Sequence, residues 1–135
     1  MANVTFTGVA IPDNKANMAC RVAGGTIAKH DIVYIDTSDA NSVKPADASA
    51  AGTAVAYGMA LHAASDGEYV LVATHGATVT VGGGLTANTR YVVGGDAGKI
   101  EPQSGLSGGE YICELGYATS TTELYVDIYY TGNTA

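Results

Sequence analysis

Charged side chains are scarce in this chain of 135 residues. They make up 14% of the sequence, whereas they make up about 25% of an ordinary soluble domain. Tryptophan is absent and phenylalanine occurs once, so the aromatic content comes almost entirely from nine tyrosines. A surface with few charges is typical of a protein that packs against other proteins, although a compact β domain with a quiet surface would have the same composition.

Basic residues are the rarer of the charged residues. Six Lys and Arg are set against thirteen Asp and Glu, which gives a net charge of −7. Nucleic-acid binding draws most of its affinity from basic side chains that contact phosphates. The basic residues form no cluster along the sequence; they are Lys15, Arg21, Lys29, Lys44, Arg90 and Lys99. The sequence therefore predicts no nucleic-acid partner.

Cysteines and long apolar segments are also few. The two cysteines, Cys20 and Cys113, are too few for a disulfide scaffold, and the apolar surroundings of Cys113 predict a buried thiol. A bridge between the two is left open at this point. No segment approaches the roughly 20 apolar residues that span a bilayer, and residues 1–6 lack the features of a secretory signal. We therefore expect no membrane partner and synthesis in the cytoplasm.

A repeat organises most of the chain. Residues 34–45 match residues 91–102 without a gap, at an offset of 57 residues (34 to 91). Downstream, the match continues to Gly58 and Gly116 at an offset of 58 residues (58 to 116). A preserved order with a drifting offset is what changes in turn length between matching strands would produce. The repeat therefore predicts two similar β units.

The domain boundaries follow from the repeat. A chain of 135 residues is typical of one domain. We expect a β domain over 24–135, with its two pseudo-symmetric units at 24–76 and 82–132. Residues 1–23 fall outside the repeat and are expected to form an extended N-terminal arm with one short strand.

Strand and turn signals fill both units. Short runs of β-branched and aromatic residues alternate with Gly, Asp and Asn turns. This pattern predicts an all-β fold, either a small sandwich or a barrel. Asp47 followed by alanines favours one short helix in the first unit, and a loop at 104–109 takes its place in the second. We expect at most one short helix in the fold.

The arm and the C-terminal tyrosines supply the candidate contact residues. Val4, Phe6 and Ile11 would give the arm apolar anchors for another chain, and full burial of one Phe is worth about 1.5–3 kcal/mol. Tyr129 and Tyr130 lie near the C-terminus, and tyrosine suits interfaces because its ring buries area while its hydroxyl stays hydrogen-bonded. Strands also favour tyrosine, so the second assignment has a plain structural alternative.

No arrangement of residues predicts catalysis. The three histidines, His30, His62 and His75, share no metal-ligand spacing, although distant ligands can converge in a fold. The glycine-rich segment 94–99 has the wrong spacing for a phosphate-binding loop. No nucleophile stands beside a base in the sequence. We therefore predict that the protein is not an enzyme and has no catalytic, cofactor or metal site.

Five segments of the chain share a characteristic order of strands and turns. They are 24–36, 43–49, 56–61, 84–93 and 116–122. Together they resemble the small capsid decoration proteins, or cement proteins, of tailed bacteriophages, and the resemblance covers roughly residues 20–130. It rests on the order of these elements rather than on a single motif.

The resemblance implies a β-rich structural protein on the outer surface of the capsid in the virion. Such proteins bind the major capsid protein of an expanded head, commonly as homotrimers on three-fold axes, and tie neighbouring capsomers together. They catalyse nothing, and an N-terminal arm often reaches onto the shell. Residues 1–23 have the position and extended character of such an arm.

A second function is open on the sequence. Similar strand patterns occur in receptor- or glycan-binding β modules of phage tails and fibres. A glycan site would present aromatic platforms flanked by carboxylates, and tyrosines are available for that role. The absence of tryptophan favours the decoration protein over the glycan-binding module.

Overall fold

The computed structural model describes residues 3–6, 9–13 and 17–135. These residues form eleven β-strands and one short 3-10 helix, Gln103–Gly105. The strands are β1 (Ile11–Pro12), β2 (Met18–Val22), β3 (Ile32–Asp36), β4 (Ser42–Pro45), β5 (Gly58–Ala60), β6 (Tyr69–Ala73), β7 (Thr78–Thr80), β8 (Arg90–Val93), β9 (Ile100–Pro102), β10 (Tyr111–Ala118) and β11 (Glu123–Thr134). The predicted all-β class is confirmed.

The strands form a sandwich of two antiparallel sheets. One sheet has five strands in the order β2-β6-β5-β3-β4, and it makes up the first unit. The other has six strands in the order β1-β7-β11-β10-β8-β9, and it makes up the second unit. If β1 is set aside, the two orders are the same: β3, β4, β5, β6 and β2 correspond to β8, β9, β10, β11 and β7. The predicted pair of pseudo-symmetric units is confirmed.

Backbone hydrogen bonds repeat between the units as well. The His30 N–H donates to the Ala60 carbonyl at 2.9 Å, and the Asn88 N–H donates to the Ala118 carbonyl at 2.8 Å. The two donors lie 58 residues apart in the sequence (30 to 88), and so do the two acceptors (60 to 118). His30 and Asn88 also share a left-handed backbone, with φ of 75° and 63°. Their match in the sequence therefore reflects one turn geometry used twice.

Gly58 and Gly116 show why the repeat keeps a glycine. A Cβ on Gly58 would lie 2.1 Å from the Ala73 carbonyl oxygen, and a Cβ on Gly116 would lie 1.9 Å from the Tyr125 carbonyl oxygen. In both units the adjacent strand passes too close for any side chain, which is the usual reason for glycine inside a strand. Gly116 also lies at a β-bulge of β10.

The two matching hairpins differ in register by one residue. In the first, Val33 pairs with Pro45, and in the second, Tyr91 pairs with Pro102. The two prolines match in the sequence, but Tyr91 matches Tyr34 rather than Val33. Eleven residues lie between Val33 and Pro45 (34 to 44) and ten between Tyr91 and Pro102 (92 to 101), so the second hairpin is one residue shorter. Tyr91 is buried, whereas Tyr34 is half-buried.

Different side-chain contacts stabilise the two hairpin turns. Lys44 donates to Asp36 at 2.7 Å and lies 3.2 Å from Asp39. The hydrogen bond from Lys44 lowers the pKa of Asp36 to about 2. Glu101, which matches Lys44 in the repeat, is buried and accepts the Gly95 N–H at 3.0 Å. A cation therefore fixes the turn of the first hairpin, and a carboxylate fixes that of the second.

Two hydrophobic cores stabilise the domain. The main core fills the space between the sheets, and its largest members include Ile32, Met59, Tyr91, Ile100, Leu115 and Leu124. The second core covers the opposite face of the five-stranded sheet, and it consists of Ala23, Ile27, Val33, Val43, Ala60, Ala64, Val70 and Val72. Ile32 and its neighbour Val33 enter different cores because successive side chains of a strand point to opposite faces.

The short helix predicted at Asp47 is wrong. Residues 48–53 form turns, and the Asp47 carboxylate accepts the Ser49 N–H at 2.9 Å. The Thr53 hydroxyl donates to the Asp47 carbonyl at 2.7 Å, which closes the loop locally. These side-chain bonds compete with helix formation. The 3-10 helix lies instead in the second unit, at Gln103–Gly105.

The five-stranded sheet also begins earlier than the boundary predicted at residue 24. Met18–Val22 forms β2, which pairs with β6 along its whole length. Residues 18–22 therefore belong to the first unit rather than to an arm. The M-A-C-R-V sequence carries no turn residue and few β-branched ones, so it gave a weak strand signal.

Candidate interaction surfaces

The N-terminal segment, defined as residues 3–6 and 9–13, lies against the second unit. The Val4 N–H donates to the Ile100 carbonyl at 2.9 Å, and the Asn3 side-chain amide donates to Asp96 at 2.7 Å. The Phe6 ring packs on the His30 ring with centroids 4.9 Å apart. Several independent contacts therefore hold this segment on its own chain.

This placement changes the role expected for the predicted anchors. Val4 and Phe6 are half-buried and pack against the main core, so the prediction that residues 1–23 lie wholly outside the β core is wrong. Ile11 differs from them, because it is 56% exposed in β1. Of the three predicted anchors, Ile11 is the one whose side chain is available to another molecule.

A glycine allows the N-terminal segment to lie so close. Gly84 has φ of 98°, and a Cβ on it would lie 2.0 Å from the Thr5 carbonyl oxygen. The segment therefore passes directly over the loop before β8. A side chain at Gly84 would displace the segment, whereas the core strands around it would be untouched.

His30 links the N-terminal segment to the first unit. Its Nε2 atom is within hydrogen-bond distance of the Val9 carbonyl oxygen, and its ring contacts Phe6. Burial lowers the pKa of His30, and the nearby charges of Lys29 and Lys99 lower it further. The hydrogen bond to Val9 opposes this shift without reversing it. The neutral imidazole is therefore the form that the folded protein favours.

The edge strands β1 and β2 lie on one side of the molecule. β1 runs antiparallel to β7, and β2 runs antiparallel to β6. Because β6 and β7 are consecutive, β1 and β2 together follow one continuous edge across both sheets. The outer side of β1 is unpaired among the described strands, whereas the end of β2 meets β4 at a parallel bridge between Ala23 and Val43.

Four side chains of β2 and β6 form an exposed apolar face outside the interface between the two sheets. Cys20 pairs with Leu71, and Val22 pairs with Tyr69, so these four side chains lie on one face. Tyr69 is 73% exposed and Val22 is 41% exposed, and Leu71 and Cys20 are also exposed. We call Cys20, Val22, Tyr69 and Leu71 the β2 face. Sequence analysis missed it because β2 was assigned to an arm.

The outer face of the six-stranded sheet carries tyrosines among charges. We call it the tyrosine face, and it consists of Arg90, Glu114, Tyr117, Tyr125, Asp127 and Tyr129. The Tyr117 and Tyr125 rings lie 5.3 Å apart, and the Arg90 guanidinium lies 5.3 Å from the centre of the Tyr117 ring. Arg90, Glu114, Asp127 and Tyr129 also line an open depression.

Two carboxylates on the tyrosine face lie near one cation, the Arg90 guanidinium. Arg90 lies 3.4 Å from the Glu114 carboxylate and 3.9 Å from the Asp127 carboxylate. His75 lies 3.9 Å from Asp127 on the other side. Exposed ion pairs of this kind contribute about 0–1 kcal/mol each, so they orient side chains rather than hold the fold together.

The two C-terminal tyrosines point to opposite faces of β11. Tyr129 pairs with Glu114, is 63% exposed and belongs to the tyrosine face. Tyr130 pairs with the buried Cys113 and packs against the main core. Of these two predicted contact residues, Tyr129 is the one available to a partner.

Histidines and cysteines stay apart in the fold. Among the described residues, no three His, Cys, Asp or Glu side chains converge closely enough to hold a metal ion. His62 accepts the Leu71 N–H, and His75 accepts the Ile128 N–H. Cys20 and Cys113 are both free, so the bridge left open by the sequence is not formed. Burial raises the pKa of the Cys113 thiol.

Comparison with known proteins gives no family for this chain, so any proposal of function rests on the fold and the surfaces. No protein-family model matches the chain, and a search of curated proteins finds no similar sequence. Within residues 3–6, 9–13 and 17–135, no helix has the length and apolar character needed to cross a membrane.

Proposed function

We propose that this protein is a structural decoration protein of a bacteriophage capsid. It binds the major capsid protein on the outer surface of the head, and it stabilises the shell by bridging neighbouring capsomers. It acts as a homo-oligomer, and a trimer on three-fold axes is the form that the sequence resemblance implies. It is not an enzyme and takes no cofactor.

The observation that carries this proposal is the exposed, apolar strand edge at β1. Ile11 is 56% exposed there, and Val9 beside it is exposed too. Pro12 has no N–H, which limits backbone pairing at this edge, so the exposed apolar side chains on alternate positions supply the contact. A surface with 14% charged residues also suits permanent contact with another protein.

Binding to the shell is expected to rest on apolar contact, on backbone pairing at strand edges, or on complementary shape. A net charge of −7 gives no general attraction to an acidic shell, and adjacent copies repel one another. Exposed charges are screened beyond about 10 Å at about 0.1 M salt. We therefore expect occupancy on the head to stay constant or to rise between about 20 mM and 500 mM salt, unlike that of a basic nucleic-acid binder.

The test uses heads of the parent phage assembled without this protein. Purified wild-type protein is added back, and occupancy is measured by electron microscopy across the salt series. Ile11→Asp is expected to reduce occupancy strongly because it places a charge on the apolar edge. Val55→Asp is the control, since Val55 is a similarly exposed valine away from β1. Equal occupancy of Ile11→Asp and wild type, or a steep loss of wild-type occupancy as salt rises, would contradict the proposal.

The tyrosine face supports a second function, which is a receptor- or glycan-binding module of a phage tail or fibre. Its exposed Tyr129 flanked by Glu114, Asp127 and Arg90 is the arrangement of aromatic ring and polar side chains expected of a glycan site. Electron microscopy of the virion separates the two functions, because a decoration protein covers the head and a fibre module occupies only the tail. Loss of glycan binding in Tyr129→Ala would support the second.

A further inference from the structure

The two units place matching sheet faces in different surroundings. In the first unit, one row of paired residues crosses β3, β5 and β6, and it consists of Ile32, Met59 and Ala73. In the second unit, the matching row crosses β8, β10 and β11, and it consists of Arg90, Tyr117 and Tyr125. Each row lies one residue beyond the repeated glycine of its central strand, Gly58 or Gly116. The first row is fully buried in the main core, whereas the second row is part of the tyrosine face.

The units therefore meet head to tail. A two-fold arrangement would bring matching faces into contact with each other, whereas here the face of the first unit meets a turn of the second. The Ile32 N–H donates to the Gly98 carbonyl at 2.9 Å, and the Gly98 N–H donates to the Ala46 carbonyl at 2.8 Å. Gly98 belongs to the hairpin turn at 94–98. The face of the first unit is thus a seat for the turn of the second.

The depression on the tyrosine face is the open counterpart of this seat. Three of the residues that line it are Arg90, Gln103 and Glu114. Their matches in the first unit, at offsets of 58, 57 and 58 residues (32 to 90, 46 to 103, 56 to 114), are Ile32, Ala46 and Ala56. All three of these matches are buried in the main core, where the turn at 94–98 contacts the first unit. The second unit therefore repeats the seat, with polar residues in place of apolar ones.

The turn that matches 94–98 is open as well. Residues 37–41 match it at an offset of 57 (37 to 94), and all five are exposed. Asn41 matches Gly98, and both have a left-handed backbone, with φ of 58° and 81°. A Cβ on Gly98 would lie 2.6 Å from a carboxylate oxygen of Asp31. The match of Asp31 in the second unit is Thr89 (31 to 89), whose shorter side chain is in keeping with a larger residue at Asn41.

We propose that the turn at 37–41 of one copy of this chain seats in the depression on the tyrosine face of a second copy. This contact repeats between chains the contact that joins the two units within one chain. Asn41 then lies over Arg90 of the second copy, as Gly98 lies over Ile32. The T-S-D-A-N turn is polar, as is the depression that receives it. Polar surfaces of this kind suit a contact between chains that fold separately.

A head-to-tail contact can close into a ring. A trimer joined in this way would be a ring of six units, in which the tyrosine faces are covered and closed to a glycan. Only this number of copies rests on the proposed function. The contact itself is tested in solution without heads, so its failure is distinguishable from a failure of the wild-type protein to bind heads.

Thiol cross-linking tests which surfaces meet. Cys20→Ser removes the exposed thiol, and Cys113 is fully buried, so this variant is a silent background. Ser38→Cys labels the turn, and Gln103→Cys labels the depression. We expect a short bifunctional maleimide to join the two variants when they are mixed and to join neither variant to itself. Thr121→Cys replaces Ser38→Cys in the control mixture, because Thr121 is an exposed residue of another hairpin turn. Absence of the mixed dimer, or equal cross-linking in the control, would overturn the proposal.

Sedimentation at concentrations up to about 1 mM, which reaches weak contacts, gives the second test. Wild type is expected to associate, whereas Gln103→Trp, which fills the depression, and Ser38→Trp, which enlarges the turn, are each expected to be monomeric. Both positions are exposed, so the fold should be retained. An equal mixture of the two variants keeps one intact turn and one intact depression, and it should form dimers and nothing larger. Thr121→Trp is the control and should associate like wild type. A monomeric wild type, or association that survives Gln103→Trp, would overturn the proposal.

Discussion

The two units share one strand order, yet different parts of the chain donate hydrogen bonds to their matching strands β4 and β9. In the first unit the Gly24 N–H donates to the Val43 carbonyl at 2.9 Å. In the second, the Val4 N–H donates to the Ile100 carbonyl at 2.9 Å. The two acceptors match in the repeat at an offset of 57 (43 to 100). The first unit therefore closes with residues between its strands β2 and β3, and the second closes with the N-terminal segment.

This difference makes the N-terminal segment a structural part of the second unit. Val4 and Phe6 pack on the main core, and β1 adds a sixth strand next to β7. The first unit contains no counterpart of either among the described residues. Changes at repeated positions should therefore affect both units alike, whereas changes at the segment should affect the second unit more than the first.

The largest expected effect concerns the repeated glycines. Gly58→Ala and Gly116→Ala each place a Cβ about 2 Å from a carbonyl oxygen of the adjacent strand, and we expect each to lower the free energy of unfolding by about 3 kcal/mol or more. Chemical denaturation measures this. Gly52→Ala is the control, since nothing lies within 4 Å of its Cβ. If one glycine tolerates alanine and the other does not, the units are not equivalent at this position.

A smaller effect is expected at Gly84. Gly84→Ala and Gly67→Ala both impose a side chain on a left-handed backbone, with φ of 98° and 86°, which costs roughly 1–2 kcal/mol. Only Gly84→Ala also collides with the Thr5 carbonyl. We expect it to cost about 1–2 kcal/mol more than Gly67→Ala because part of the Phe6 burial is lost.

Amide hydrogen exchange locates the effect of Gly84→Ala. Exchange should speed up in β9, next to the N-terminal segment, and should stay unchanged in β4. Equal losses of protection in the two strands would show that the segment does not belong to the second unit alone.

The smallest expected effect is the pH dependence from His30. Since burial lowers its pKa, the folded state favours the neutral ring, and its stabilisation is present above the unfolded pKa of about 6.5. That stabilisation decreases as the pH falls below this value. The charged groups facing the ring are Lys29, Lys99 and Asp31.

His30→Asn tests this contribution by giving the first unit the residue of the second. Asn tolerates the left-handed backbone, and Asn88 occupies the matching position. We expect the stability of the variant to fall less than that of wild type between about pH 7.5 and pH 5.5. A proton NMR titration of wild type should place the pKa of His30 below about 6.5. A higher value would contradict the prediction.

The fold was predictable from the sequence to the level of strands and repeat. The match of residues 34–45 with 91–102 predicted two similar hairpins. The match of Gly58 with Gly116 was seen in the sequence, and the structure explains it by the close approach of neighbouring strands. The one-residue change in register was not predictable, because a gap-free match carries no sign of which strand residues pair. The short helix was wrong because Asp47 bonds its own turn.

The surfaces were less predictable than the fold. Val4, Phe6 and Ile11 have the same apolar character in the sequence, and only the path of the chain separates two core residues from one exposed residue. Tyr129 and Tyr130 are adjacent, and strand alternation alone could not tell which faces outward until the register with β10 was known. The β2 face escaped detection because its members come from strands about 50 residues apart (20 to 71).

The shared edge of the two sheets has a mechanical consequence. The Asp13 N–H donates to the Thr78 carbonyl at 2.9 Å, and the Thr74 N–H donates to the Asn17 carbonyl at 2.8 Å. The first bond lies beside β7 and the second beside β6, on either side of the connection that carries the chain from one sheet to the other. Bending one unit against the other at this connection would strain hydrogen bonds on both sides of it. We therefore expect the two units to resist such bending and to transmit force from one to the other.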